Sequence, residues 1–197
     1  MIPICLILFI LFIAVITFAI KRADSAQAKV TEEFWEKERK ANSTLRGDTT
    51  DLCYITIPER FFPLNNDKIN DLRDKTLVNL TGMTNTDLKL KYGILNFKKL
   101  SEYDDNFTKF VSMLPDYYNR LKEEGYKPLA NELLEFAVEQ GADSKNVYRL
   151  LANAYISMSK ADLLAELIEK AKQLNSLSRD GIVSMLESLE ADAATER

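Results

Sequence analysis

The longest apolar run in the chain stands at its start: from Ile2 to Ile20 every residue is apolar except Thr17, with Pro3 where a helix tolerates it. Nineteen residues at 1.5 Å each give ~28 Å, close to the ~30 Å hydrocarbon thickness of a bilayer. A core helix of a soluble domain would show a polar face, and this run has none. The pattern therefore predicts a membrane span over residues 2–20, with Cys5 as one more apolar residue within it. A cleavable signal peptide is the competing reading, since Ala26-Gln27-Ala28 has the small-x-small form of a cleavage site. Against it, no Lys or Arg precedes the run, the run exceeds an h-region of about 7–15 residues, and Lys21-Arg22 separates it from that site. Because the basic flank lies only on the C-terminal side, the positive-inside rule places the rest of the chain in the cytoplasm.

Residues 21–46 are polar, alanine-rich and free of proline, and they predict a helical stalk that continues the span. Glu33–Lys37 and Glu36–Lys40 are i,i+4 pairs in the favourable order. Seven basic residues are mixed with five acids, unlike a lipid-binding polybasic segment. Phe34 and Trp35 interrupt the polar surface and are expected to dock the stalk on the body, contact with a partner being the second reading. Gly47, in Arg46-Gly47-Asp48, is expected to end the helix.

The β-branched run Cys53-Tyr54-Ile55-Thr56-Ile57 before Pro58 reads as an extended arm lying on helices, with Cys53 a packed, inert thiol. Ile69, Leu72, Leu77 and Leu80 suggest an amphipathic helix over 67–80, ended by Gly82. A short helix from Asp87 to Tyr92 stops at Gly93. Ser101 then looks like the N-cap of a helix bearing Phe107, Phe110, Val111 and Leu114.

Past residue 110 the chain repeats itself. Leu129, Glu132, Leu133, Glu135 and Ala137 recur 34 residues on as Leu163, Glu166, Leu167, Glu169 and Ala171, five identities in nine positions without a gap. Tyr148, Leu151, Ala152 and Tyr155 map by the same offset onto Ile182, Met185, Leu186 and Leu189. A 34-residue period of paired helices resembles the tetratricopeptide repeat. Tyr148-x-x-Leu151-Ala152-x-x-Tyr155 matches that family's helix A pattern, and Ile168 and Ala171 match helix B, where Leu164 replaces a small residue. In the preceding repeat Ala130, Leu134 and Ala137 match helix B and Gly125 falls at the turn. Its helix A is weaker, with Tyr118 at a small-residue site and Pro115 inside, so that the helix must kink or begin there.

The fold expected is all-α: the N-terminal transmembrane helix and the short extended arm read from the residues themselves, joined to the solenoid of helical hairpins that the resemblance implies. The divisions are an anchor (1–20), a stalk (21–46), the arm with N-terminal capping helices (47–110), two repeats with a capping helix (111–190) and a disordered acidic tail (191–197). The whole resembles small single-pass bacterial membrane proteins with tetratricopeptide-like soluble parts. In that family, residues just off the packing stripe of helix A line a peptide-binding concave face. The register assigns that place to Asn119 and Lys122, then to Arg149 and Asn153. Amides can grip a peptide backbone and Arg a carboxylate. With Asp180 and Ser184 at the third equivalent, an internal acidic segment fits better than a C-terminal carboxylate.

Composition narrows the chemistry. The 197 residues contain no histidine, which removes His-based general bases, triads and metal sites. Two cysteines supply neither a disulfide framework nor a zinc site. Twenty-six basic against thirty acidic residues, net −4, argue against a domain that holds nucleic acid by excess positive charge. No glycine-rich phosphate loop is present, and Asp104-Asp105 and Glu123-Glu124 are adjacent pairs whose side chains diverge on a helix. Neither enzyme activity, a cofactor nor a metal is expected. Two functions remain: an adaptor that binds a peptide or helix of a partner protein, and an assembly protein that oligomerises through its membrane helix and stalk. The three N-x-Ser/Thr sequons, at Asn42, Asn79 and Asn106, carry little weight against the charge flank.

Overall fold

The computed structural model describes residues 4–65 and 68–195; Pro3, Asp67 and the last two tail residues lie outside these, as do the side chains of Cys5, Ser25 and Ala26. Among the described residues the chain is all-helical, with α1 Ile4–Ser43, α2 Asn85–Tyr92, α3 Ile94–Glu123, α4 Lys127–Glu139, α5 Lys145–Ser157, α6 Ala161–Lys172 and α7 Arg179–Thr195. It divides into two compact units, Met1–Asp48 with Asn85–Asn96, and Thr49–Thr84 with Phe97–Arg197.

In the first unit the apolar run and the polar stalk form one helix of 40 residues, long and apolar enough to cross a membrane. The helix ends at Ser43, four residues before Gly47, where the hydroxyls of Ser43 and Thr44 both donate to the Lys40 carbonyl, at 2.8 and 3.0 Å. Gly47 has another use. A Cβ there would lie 2.0 Å from the Lys91 carbonyl oxygen, and the Gly47 N–H donates to the Tyr92 carbonyl at 2.9 Å, so the glycine lets this loop lie against α2. Polar contacts complete the clamp. Glu38 accepts from Lys89 Nζ at 2.7 Å and from the Thr86 hydroxyl at 2.6 Å, and these bonds, Lys89 first, hold its carboxyl below the usual range. Ala41 is wholly buried. The expected stalk pairs are not the ones formed: Lys37 is taken by Asp87 at 2.7 Å, and Glu33 stands 3.9 Å from Lys29. Phe34 and Trp35 are exposed rather than docked, at 52% and 55%, and meet edge to face with ring centroids 5.4 Å apart.

In the second unit the arm finds a partner in the segment expected to be helical. Ile55 and Leu77 exchange backbone hydrogen bonds, both 2.9 Å, in an isolated antiparallel bridge. Among the described residues of the expected 67–80 helix only Lys68–Leu72 is helical, as a 3-10 stretch. Asp74, at φ 61°, breaks the path, and past it the backbone is held from outside: Leu77 pairs with Ile55, and the Val78 N–H donates to the Tyr103 carbonyl at 3.2 Å. Ile55, Ile57, Phe61, Ile69 and Leu72 join the same core as the later helices, and the buried Tyr117 hydroxyl donates to the Phe61 carbonyl at 2.8 Å. Cys53 is exposed, not packed. Two sequons are structural: Asn79 donates to the carbonyls of Gln140 and Gly141, and buried Asn106 donates to that of Thr76.

Ser101 is not an N-cap. α3 begins at Ile94, straight after Gly93, and runs through Pro115 without a new start there. Leu114, Tyr117, Tyr118 and Leu121 are buried on both sides of that proline, so packing holds the helix across the missing N–H.

The 34-residue offset reappears in the backbone. α4 and α6 start at Lys127 and Ala161, and α5 and α7 start at Lys145 and Arg179. Gly125 and Ser159, also 34 apart, both take left-handed φ, 89° and 56°, at the turns before α4 and α6. Burial follows the same offset, pairing Leu114 with Tyr148 and Ile182, Leu134 with Ile168, and Ala137 with Ala171. α5 packs on α4, α6 and α7, and α6 on α7. α7 extends to Thr195, past the helix end expected near Glu190 and into the segment expected to be disordered.

Candidate peptide-binding groove

The end of α3, the first turns of α4 and the end of α5 enclose a groove of about 560 Å³. α3 contributes Tyr118 and Lys122, α4 contributes Lys127 and Asn131, and the end of α5 contributes Asn153 and Met158. Each residue is placed by the packing stripe beside it. On α4, Ala130, Leu134 and Ala137 are buried, which turns Lys127 and Asn131, one turn apart, toward the groove. On α5, Leu151, Ala152 and Tyr155 do the same for Asn153.

The floor is apolar and the rim is basic and amidic. Lys122 Nζ lies 5.1 Å from the centroid of the Tyr118 ring, whose face favours a cation. The Tyr118 hydroxyl reaches Asn131 Oδ1 at 3.4 Å, and Asn131 Nδ2 reaches the Met158 sulfur at 4.0 Å. Both contacts are long, so the Asn131 amide keeps most of its capacity to donate and accept. No carboxylate is among the lining residues. Such a set can hold acidic side chains on two ammonium groups and a peptide backbone on two amides.

Of the four residues assigned from the register, the structure brings Lys122 and Asn153 into this groove. Asn119 and Arg149 are exposed but do not line it, and the Arg149 guanidinium instead donates to Asn146 Oδ1 at 3.1 Å. Lys127 and Asn131 were not among the expected residues. They lie on the first two turns of the second helix of the hairpin, flanking its buried stripe.

A second hollow, of about 360 Å³, lies among α4, α5 and α6 and is rimmed by Glu135, Glu139, Glu166, Lys160 and Lys170. There the Tyr155 hydroxyl donates to Glu135 at 2.9 Å, and burial, then Glu135, push its pKa up. Tyr148 is pushed up to about 12, first by burial and then by Asp143. Both phenols thus stay protonated at neutral pH. Among the described residues no group of three or more Cys, Asp or Glu could hold a metal ion.

Compared with known proteins, the chain matches no family model, no curated protein and no solved structure.

Proposed function

We propose that this protein is a membrane-tethered, tetratricopeptide-like adaptor that binds an acidic segment of a partner protein in the groove between α3, α4 and α5. One observation carries the reading: Lys122, Lys127, Asn131 and Asn153 ring an apolar floor with no carboxylate among them. The 34-residue spacing of helix starts and left-handed turns supports the repeat architecture. Thirty-four residues on from Leu150 and Ala154 of α5 stand Ser184 and Ser188 of α7, exposed polar residues that suit the end of a helical stack. The test is a panel of fluorescent acidic, neutral and basic peptides titrated against the full chain in detergent. Acidic peptides bind selectively, and Lys122→Ala with Asn153→Ala weakens them by about tenfold or more while Arg149→Ala does not. Equal binding of basic peptides, or an unaffected double variant, would falsify the reading.

The tether rests on the exposed, apolar N-terminal part of α1 and on Lys21-Arg22 at its polar side, which by the positive-inside rule leaves the body in the cytoplasm. A reporter that is active only outside the cytoplasm, fused after Arg197, is expected to be silent. Activity of that fusion overturns the topology. An assembly role through the membrane helix and stalk is the second reading, and the exposed Phe34–Trp35 pair favours it.

A further inference from the structure

One non-helical segment of the second unit, residues 76–82, touches α3 and two of the later turns at once. The Val78 N–H donates to the Tyr103 carbonyl at 3.2 Å, and the Leu80 N–H donates to the Asp104 carboxylate at 3.0 Å. The Asn106 amide donates back to the Thr76 carbonyl at 3.1 Å, so the segment is tied along α3. Asn79, between these ties, donates instead to the carbonyls of Gln140 and Gly141, at 3.0 and 2.9 Å, in the turn after α4. Three residues on, Gly82 lies against the turn after α6, where an added Cβ would stand 2.9 Å from the Asn175 carbonyl oxygen. Gly141 and Asn175 are 34 residues apart, so one segment holds equivalent turns of successive repeats. The fit at the first turn is as close as at the second, for a Cβ on Gly141 would stand 2.8 Å from Asn79 Nδ2.

These ties fall where a hairpin is otherwise open. α3 and α4 are joined by the 124–126 turn, beside the groove residues Lys122 and Lys127. Asp104 and Gln140 belong to the far ends of the same two helices, which no loop joins directly, and the segment links them there. We infer that residues 76–82 are a brace across the open end of the α3–α4 hairpin, and that the groove keeps its shape only while the brace is closed. Opening requires only that the Asn79 amide leave its two carbonyls, while Val78 and Leu80 keep their bonds to α3. The two helices are then free to pivot about the 124–126 turn, which moves Lys122 relative to Lys127. The effect on binding rests on the adaptor reading; the effect on shape is measured without a ligand.

Asn79→Asp tests the brace, because it keeps the acceptor for the Thr81 N–H but turns carboxylate oxygens toward two carbonyls. Asn79→Ala removes the same two bonds without adding a charge, and Thr81→Ala, at an exposed position, is the control. The full chain in detergent carries spin labels at Asn119→Cys on α3 and Lys160→Cys just past α5, both exposed, with the exposed Cys53 replaced by Ser. In both Asn79 variants amide exchange over 140–142 should rise by about tenfold, and the distance distribution between the labels should broaden and shift. The control should leave both unchanged. Faster exchange over 140–142 with an unmoved distance distribution would overturn the inference, as would unchanged exchange in both Asn79 variants. Loss of protection throughout α4 to α6 in both would overturn it too, since Asn79 would then hold the fold and not the groove. The peptide panel separates the two readings. Asn79→Asp should weaken the acidic peptides by about tenfold, and by linkage a saturating acidic peptide should slow exchange over 140–142. If no acidic peptide binds while the labels move, the adaptor reading falls and the brace stands. If acidic peptides bind through Lys122 while Asn79→Asp leaves the labels in place, only the brace falls.

Discussion

Gly47→Ala should release α2 from α1. The added methyl would sit 2.0 Å from the Lys91 carbonyl oxygen and 2.7 Å from the Tyr92 Cα, and both atoms belong to backbone. No rotamer change can clear a backbone clash, so the loop must move. The Gly47 N–H···Tyr92 and Ile94 N–H···Thr44 bonds, at 2.9 and 2.8 Å, are stretched with it. The expected cost is at the upper end of the ~1–3 kcal/mol typical of overpacking. Amide exchange is the measurement: protection over 85–92 should fall by about 10- to 100-fold, while α4 to α6 keep theirs. Unchanged protection over 85–92 would mean that the glycine is not required by this contact.

Ala152→Leu should destabilise the second unit by about 1–3 kcal/mol. Ala152 is wholly buried on α5, the helix that packs on α4, α6 and α7. Its equivalents 34 residues away in either direction, Tyr118 and Leu186, are bulky and buried, so Ala152 is the small residue at that register position. Three added carbons have no vacancy to enter and must push the helices apart. Glu166→Ala, an exposed position on α6, is the control and should change stability by less than about 0.5 kcal/mol. Thermal unfolding of the full chain in detergent compares them. Equal shifts in the two variants would mean that the 34-residue register does not describe the packing.

The parts of the fold legible in the sequence are those where one local signal, the spacing of apolar residues, acts alone. The helices bearing Leu133, Leu134 and Ala137, and Leu167, Ile168 and Ala171, are of this kind, and their buried residues recur at the same offset in sequence and structure. The segment after residue 66 departs from its sequence pattern because Ile69, Leu72, Leu77 and Leu80 mimic helical spacing, while the backbone partner that decides Leu77 is Ile55, twenty-two residues earlier. Ser101 and Pro115 carry strong local signals, yet both lie inside α3, whose buried face overrides them. In the groove, Lys122 and Asn153 could be found from the repeat register. Lys127 and Asn131 could not, because their contribution depends on how the start of α4 meets the end of α5, and that is a property of three helices rather than of one.

From Ile4 to Ser43 α1 contains neither glycine nor proline, and it therefore has no swivel. Each residue is fixed at ~100° of azimuth from the next. A quarter-turn of the apolar end about the helix axis reaches Trp35 and Glu38 as nearly the same quarter-turn. The helix thus acts as a torsion rod. Inserting a single alanine in the stalk would rotate everything beyond it by ~100° with only ~1.5 Å of lengthening, whereas inserting seven would nearly restore the phase and lengthen the rod by ~10 Å.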